Sequence, residues 1–316
     1  MKHLFIVNPI AGGKDHTAEI KEKVESVFKR HGGEYEIYIT KAPMDATEKI
    51  KQEAASGEQL RVYACGGDGT FGECACGAAL KENVAVCPFP VGTGNDFCRM
   101  FGDEQHLYRD LDALVQGWET PIDLISCNGR YSTNICSVGI DARIGTSVHK
   151  YSKIPFFGGA AGYVLSSIVE MFKGIAENMK VRSKEFETEG KHTLICACNG
   201  SYYGGGFHPC PTARPDDGIM DVLVIKKVSL LTFAALIKKF AAGEADELKQ
   251  YVTHLRTDEL EIEFDKESIV NFDGEPMMSK LAHMKLVHNA MKLIVPRGMH
   301  FFDEVKSEEN NAAIVQ

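Results

Sequence analysis

Residues 60–70 read Leu-Arg-Val-Tyr-Ala-Cys-Gly-Gly-Asp-Gly-Thr, and few folds accommodate that order. An apolar run (Leu60, Val62, Tyr63, Ala64) enters Gly66-Gly67-Asp68-Gly69-Thr70, and a run of small residues from Phe71 to Leu80 leaves it. The order predicts strand, tight turn, helix. Three glycines around one carboxylate contribute little to packing. They suit a backbone that must approach a bulky anion, because glycine has no Cβ to block the approach and N–H groups at a helix start bind phosphate. A carboxylate there repels phosphate unless a cation lies between them. Asp68 therefore points to a phosphate ligand that carries magnesium.

The same alternation surrounds this turn. Residues 4–8 (LFIVN) are a short apolar run of the kind buried in parallel sheets. Pro9-Ile10-Ala11-Gly12-Gly13-Lys14 follow, then a helical pattern with Ile20, Val24, Val27 and Phe28 on one face, stopped by Gly32-Gly33. A strand is predicted over 35–39 and a helix from Asp45, with Glu48 completing a capping box. Strand 84–88 leads to Pro90-Val91-Gly92-Thr93-Gly94-Asn95-Asp96, and the leucines at 107, 111 and 114 predict a helix over 106–116. Strands and helices in this rhythm imply βαβ units and a mainly parallel sheet, with ligands at the carboxyl ends of the strands. The glycine turns all fall there.

After about residue 121 the texture changes. Asn128-Gly129 separates two strand-like runs, a strong hairpin signal, and Glu189-Gly190 separates two more. Leu260, Ile262 and Phe264 alternate with acidic residues, as in a half-buried antiparallel strand. Helices are few here, at roughly 160–176 and 229–242. This half reads as an antiparallel β-sandwich ending near Pro296, followed by a polar tail from Ser307 to Gln316.

Composition narrows the function classes. A chain of 316 residues suits two domains. A net charge of −9 argues against nucleic acid as the partner. No apolar run approaches the roughly 20 residues of a membrane span, and Met1–Val7 reads as a strand, not a signal peptide. Most of the ten cysteines sit in apolar strand-like runs, which favours buried free thiols in a reducing cytoplasm. Cys74-x-Cys76 and Cys196-x-Cys198 have no cysteine or histidine partner at zinc spacing and are not expected to bind metal.

Other clusters are weaker when taken alone. Lys14, just past two glycines at a strand end, is well placed to meet phosphate, yet the turn is not a P-loop. Asn271-Phe272-Asp273-Gly274-Glu275-Pro276 reads first as a hairpin turn, and Asp216-Asp217-Gly218 as a solvated one. Tyr151 to Leu165 is apolar and glycine-rich, with Arg143, Lys150 and Lys153 nearby. Core packing accounts for most of it, and a contact with an anionic membrane surface is the alternative.

Taken in order, these motifs resemble the bacterial diacylglycerol kinase and lipid kinase family. The resemblance rests on Asn8-Pro9…Gly12-Gly13, Gly66-Gly67-Asp68-Gly69-Thr70 and Gly92-Thr93-Gly94-Asn95-Asp96. It continues through Asn134…Gly139-Ile140-Asp141-Ala142, Asn199-Gly200…Tyr203-Gly204-Gly205-Gly206, Pro215-Asp216-Asp217-Gly218 and Asp273-Gly274-Glu275. It covers nearly the whole chain. The resemblance implies a Rossmann-like three-layer α/β nucleotide-binding domain over 1–122, with 297–316 returning to it. An antiparallel β-sandwich lipid-binding domain would span 123–296, with the active site in the cleft between them. ATP would be held by Asn8, Pro9, Ile10, Ala11 and Gly12, by Thr40, by Gly66, Gly67, Asp68, Gly69, Thr70, Phe71 and Gly72, and by Thr93 with Asn95 beside it. Asp68 would organise catalytic magnesium with help from Asp96 and Lys14. Glu275 would be the general base. A structural magnesium would lie on Asp217 and the backbone oxygens of Arg214 and Ile219.

The expected activity is transfer of the γ-phosphate of Mg-ATP to a lipid hydroxyl, diacylglycerol giving phosphatidic acid. Sphingoid bases, polyprenols or phosphatidylglycerol offer the same hydroxyl chemistry. The expected setting is cytoplasmic and peripheral to the membrane, with an edge strand of the sandwich available for a homodimer. A related NAD kinase or phosphofructokinase shares the Gly-Gly-Asp-Gly turn, but neither has the Asp273-Gly274-Glu275 arrangement. The Asn-Glu and Thr-Gly-Ser-Thr patterns of NAD kinases were not found either. A nucleotide-binding regulator without catalysis is the non-enzyme alternative, and the presence of both Asp68 and Glu275 counts against it.

Overall fold

A computed structural model describes residues 1–92, 94–143 and 174–303. The chain forms two compact units. One holds Met1–Pro121 and the chain from Met291 onward, and the other holds Ile122–Ala290.

In the first unit, β1 (Lys2–Val7), β2 (Glu34–Ile39), β3 (Leu60–Gly66) and β4 (Val84–Pro90) are parallel and lie in the order β4-β3-β1-β2. Between them run α1 (Thr17–His31), α2 (Asp45–Ala54) and α3 (Asp68–Ala78). Strands β1, β3 and β4 are buried nearly throughout, which explains why they read as unbroken apolar runs. Because β1 has β2 on one side and β3 on the other, the order switches there. Loops leaving β1 and β3 part at that point and open a crevice at the strand ends. Helix α1 buries the expected face, Ile20, Val24, Val27 and Phe28, and Gly32 closes it with its N–H on the Phe28 carbonyl. His3 lies in this core, 2.8 Å from the Tyr63 hydroxyl and edge-on to Phe28.

Two local expectations fail in this unit. Helix α2 begins at Asp45, but no capping box forms. Its N-cap Met44 is left-handed and makes no side-chain cap bond. Asp45 instead accepts the Lys41 N–H and the Tyr38 hydroxyl, fastening the loop ahead of the helix. The helix expected over 106–116 is broken in two. Gly102–Arg109 is 3-10 helix and α5 is only Leu111–Val115, after the short α4 (Asp96–Arg99). Asp110 causes the break, because its extended backbone and its carboxylate on the Ala113 N–H make it an N-cap.

The second unit is built from strands. They are the end of β5 (Trp118–Cys127), β6 (Arg130–Ser132), β7 (Ile135–Gly139), β8 (Glu177–Arg182), β9 (Glu187–Cys198), β10 (Met220–Lys226), β11 (Val252–Thr257), β12 (Glu259–Phe272) and most of β13 (Glu275–Val295). Helix α6 (Leu230–Ala241) lies here, followed by a 3-10 turn at Ala245–Leu248, and residues 140–143 are helical. The long strands β9 and β12 each pair with β8 at one end and β7 at the other. Strands β7 and β8 therefore lie end to end between them, and β12 shifts register between Glu263 and Ser268. These strands share a core that includes Cys136, Val138, Val181, Ile195, Val222, Leu260, Ile262 and Val270. The alternation at Leu260, Ile262 and Phe264 is as expected.

Asn128 and Gly129, both left-handed, make the β5–β6 turn. Glu189-Gly190 is not a turn. It lies within β9, which pairs with β8 straight across it, and the reversal comes earlier, where Ser183 donates to the Phe186 carbonyl. The apolar stretch Tyr151–Leu165, most of the helix expected at 160–176 and the tail from Ser307 lie outside the described residues. All ten cysteines are free thiols. Nine are buried and Cys76 is partly so. No helix among the described residues is long and apolar enough to cross a membrane.

Candidate active site

In the first unit, three loops meet at the carboxyl ends of β1, β3 and β4. Asn8, the residue after β1, donates its backbone N–H to the Cys65 carbonyl at 3.1 Å. Its side-chain amide reaches Thr70 Oγ1, also at 3.1 Å, and its Oδ1 accepts the Ile10 N–H. Thr40, beyond β2, donates its N–H to Val7. The Gly66 carbonyl takes the N–H groups of both Val91 and Gly92, which ties the loop after β4 to the end of β3. Gly12 has φ +66°, and a Cβ there would stand 2.6 Å from the Val91 carbonyl oxygen. The loop after β1 can lie this close to the loop after β4 only because residue 12 has no side chain.

Asp68 opens α3, with Gly67 as its N-cap. Its Oδ1 accepts the Phe97 N–H at 3.4 Å, and its Oδ2 lies 2.6 Å from where a Cβ on Gly94 would sit. The carboxylate is thus turned from one glycine-rich loop toward the other. Asp96, the residue before Phe97, is buried and pairs with Arg99 at 3.2 Å. Asn95, left-handed, donates its side-chain amide to the Gly92 carbonyl. A cavity of about 10 Å³ lies beneath, lined in part by Gly66, Asp68, Asn95 and Phe97. It has room for about one water. Ile10 and Lys14 are exposed at the rim. Pro9 and Ala11 belong to the loop after β1, Gly69, Phe71 and Gly72 lie in the first turns of α3, and Thr93 lies outside the described residues. A helix N-terminus, close-packed glycine loops and a carboxylate at the strand ends can hold a polyphosphate with a hard cation.

In the second unit, Glu275 begins β13 opposite Phe272 and is exposed. Asp273 and Gly274, both left-handed, form the two-residue turn before it. The Asp273 carboxylate is the anchor. Its Oδ1 accepts from Ser132 Oγ, Asn134 N and Ile135 N, and its Oδ2 from Thr133 N and Oγ1, all at 2.7–3.1 Å. Burial raises its carboxyl above the ordinary value, and these donors oppose that shift. Asn134 extends the scaffold by donating to the Tyr202 carbonyl, and Asn199 by donating to the carbonyls of Asp123 and Thr133. Asp141 is also raised, to about 6, by burial.

The Arg214–Ile219 loop is held by a second carboxylate. Asp123, fully buried, accepts the N–H groups of Gly218 and Asn289, each at 2.8 Å, and pairs with His288. Asp217 accepts the Ile219 N–H at 3.3 Å and pairs with Arg256, and burial raises its carboxyl. Arg214 forks onto Asp216. Arg256 thus brings Asp217 the positive charge expected from a structural magnesium, and the ion would have to displace it. Asp123 escaped the sequence reading. Its only trace is a carboxylate inside the apolar run Ile122–Ile125. Asp273 was noted for its turn and not for its anchoring.

Two family models match the chain. The diacylglycerol kinase catalytic domain covers residues 2–127, and the YegS C-terminal NAD kinase beta sandwich-like domain covers 134–295. A diacylglycerol kinase of Bacillus subtilis is 29% identical over 280 residues, which is 86% of this chain and 88% of that protein. A protein of Pectobacterium atrosepticum named "Probable lipid kinase YegS-like" is 28% identical over 297 residues, covering 93% and 95% of the two chains. A crystal structure of a diacylglycerol kinase from Bacillus anthracis superposes with a TM-score of 0.67 at 23% identity, over 94% of this chain and 98% of that one. That likeness shows the shared fold, an α/β domain followed by a β-sandwich.

Proposed function

The chain belongs to the diacylglycerol kinase and YegS-like lipid kinase family, and on that premise we propose that it transfers the γ-phosphate of Mg-ATP to the hydroxyl of a membrane lipid, diacylglycerol before other lipid alcohols. The observation that carries the reading is the meeting of three strand-end loops around Asp68. Bound Mg-ATP supplies the phosphoryl group and neutralises charge on it as it moves. The Asn8–Gly12 loop and the Gly66–Gly72 segment that opens α3, with Thr40, Thr93 and Asn95, bind the nucleotide. Asp68 and Asp96 hold the cation, and Lys14 meets phosphate oxygen. Glu275 accepts the proton of the lipid hydroxyl as that oxygen attacks phosphorus. Asp273 keeps the turn that carries Glu275 in place. Most of the rate then comes from positioning and charge neutralisation, with the base adding about 10²–10⁴-fold. The acceptor brings the protein to a lipid surface as a peripheral enzyme.

The test is labelled ATP with a total lipid extract and, in a parallel arm, with NAD, followed by mass spectrometry of the product. Phosphatidic acid is the expected product. Another phosphorylated lipid moves the assignment within the class, and label found only in NADP overturns it. Glu275→Gln is expected to bind ATP as the parent does while turnover falls by about 10²-fold or more.

A further inference from the structure

We propose that Cys210, Asp221 and His254 form a site for one zinc-class metal ion, separate from the magnesium of the kinase reaction. Their ligand atoms all lie within 4.8 Å of one another, the only such cluster of three among the described residues. No sequence spacing announces it, because the sheet assembles it. Asp221 on β10 stands opposite Cys198 on β9 and Arg256 on β11. His254 precedes Arg256 by two residues, so with period-two alternation it shares their face. The loop after β9 lays Cys210 over that face, among Cys198, Leu223 and Val252.

The chemistry of the set is specific. A thiol, an imidazole and a carboxylate offer three protein ligands of the kinds zinc takes, with a fourth position open. Thiolate and imidazole favour such an ion over magnesium, which keeps to oxygen. Tetrahedral bonds of about 2.0–2.3 Å place ligand atoms roughly 3.3–3.8 Å apart. The cluster therefore needs only small side-chain rotations, the largest at His254 Nε2 and Asp221 Oδ1, now 2.6 Å apart across a hydrogen bond.

Asp221 and Cys210 are each only 2% exposed, while His254 reaches solvent and offers a way in. Arg256 lies 3.6 Å from the same Asp221 oxygen but is paired with Asp217. Cys198, hydrogen-bonded to Cys210, supports its sulfur from behind. Binding displaces the proton shared by His254 and Asp221 and any on the thiol, so it releases protons. The bound ion would pin the loop that carries Arg214–Gly218 to β10 and β11.

The test strips the full-length protein with a chelator and titrates it with Co²⁺. One equivalent per chain is expected, with a sulfur-to-cobalt charge-transfer band, visible bands of tetrahedral cobalt and displacement by Zn²⁺. Removing a supporting partner already costs about 10–100-fold in affinity, so Cys210→Ser and His254→Gln should each weaken binding by more than roughly 100-fold. Cys76→Ser, outside the cluster, should leave it unchanged. Zn²⁺ should raise the melting temperature of the parent and not of His254→Gln, whose exposed side chain makes it the variant least liable to misfold. Absence of the charge-transfer band in the parent overturns the site. So does its survival in Cys210→Ser with native circular dichroism, or an unchanged cobalt affinity in His254→Gln.

Discussion

Replacing Asp273 by asparagine tests whether the turn before Glu275 is held by charge or merely by shape. The carboxylate serves five donors, three on Oδ1 and two on Oδ2. Asparagine keeps the Oδ1 acceptor and presents an NH₂ where Oδ2 was. The Thr133 hydroxyl can rotate and accept, but the Thr133 N–H cannot. One backbone donor is thus stranded, at about 1–3 kcal/mol. The three Oδ1 bonds lose their charge assistance, together about 2–4 kcal/mol. Relief from burying a charge returns about 2 kcal/mol. The net expectation is a loss of about 1–5 kcal/mol in the second unit.

Urea unfolding followed by far-ultraviolet circular dichroism measures that loss, and hydrogen exchange locates it. The amides of Thr133, Asn134 and Ile135 should exchange faster while those of β10 change less. Turnover should fall by at least about 10-fold, because Glu275 follows in the same turn, with ATP affinity unchanged. A stability change below about 0.5 kcal/mol with exchange at residues 133–135 unaltered would show that the bonds are incidental.

Further expectations follow from other residues. Gly94→Ala puts a Cβ 2.6 Å from Asp68 Oδ2, so turnover should drop about 100-fold with the melting temperature nearly unchanged. Full activity in that variant would mean that Asp68 does not need this orientation. His3 is pushed from 6.5 down to about 4 by burial. Folded protein then binds fewer protons than unfolded chain between those values, so stability is lost as pH falls from 6.5 toward 4. The gap corresponds to on the order of 3 kcal/mol. His3→Gln should flatten the urea midpoint over that range, and an unaltered profile would assign the acid sensitivity elsewhere.

Local patterns in the sequence foretold most of the first unit. Apolar strands, the buried face of α1 and glycine turns at strand ends all depend on residues close in the chain. Failures came where one side chain changed its job. Asp110 capped a helix instead of continuing one, Asp45 bonded backward into its loop, and Gly190 stayed within a strand whose partner holds it. The second unit was less legible because its anchors are long-range. Asp123 reaches Asn289 and Gly218, and Asp273 reaches residues 132–135, through a register that no window of sequence contains. The Cys210, Asp221 and His254 cluster is the extreme case. Spacing rules looked at Cys74-x-Cys76 and Cys196-x-Cys198 and never reached Cys210, which the pairing of β9, β10 and β11 brings beside Asp221 and His254.

The buried thiols make the chain its own unfolding gauge. Cys65, Cys74, Cys76, Cys87 and Cys98 lie in the first unit, and Cys127, Cys136, Cys196, Cys198 and Cys210 in the second, five in each. An alkylating reagent reaches the buried ones only when the surrounding structure opens. Counting modified sites by peptide mass at rising urea would reveal whether the halves melt together or one after the other, with no engineered dye or tag.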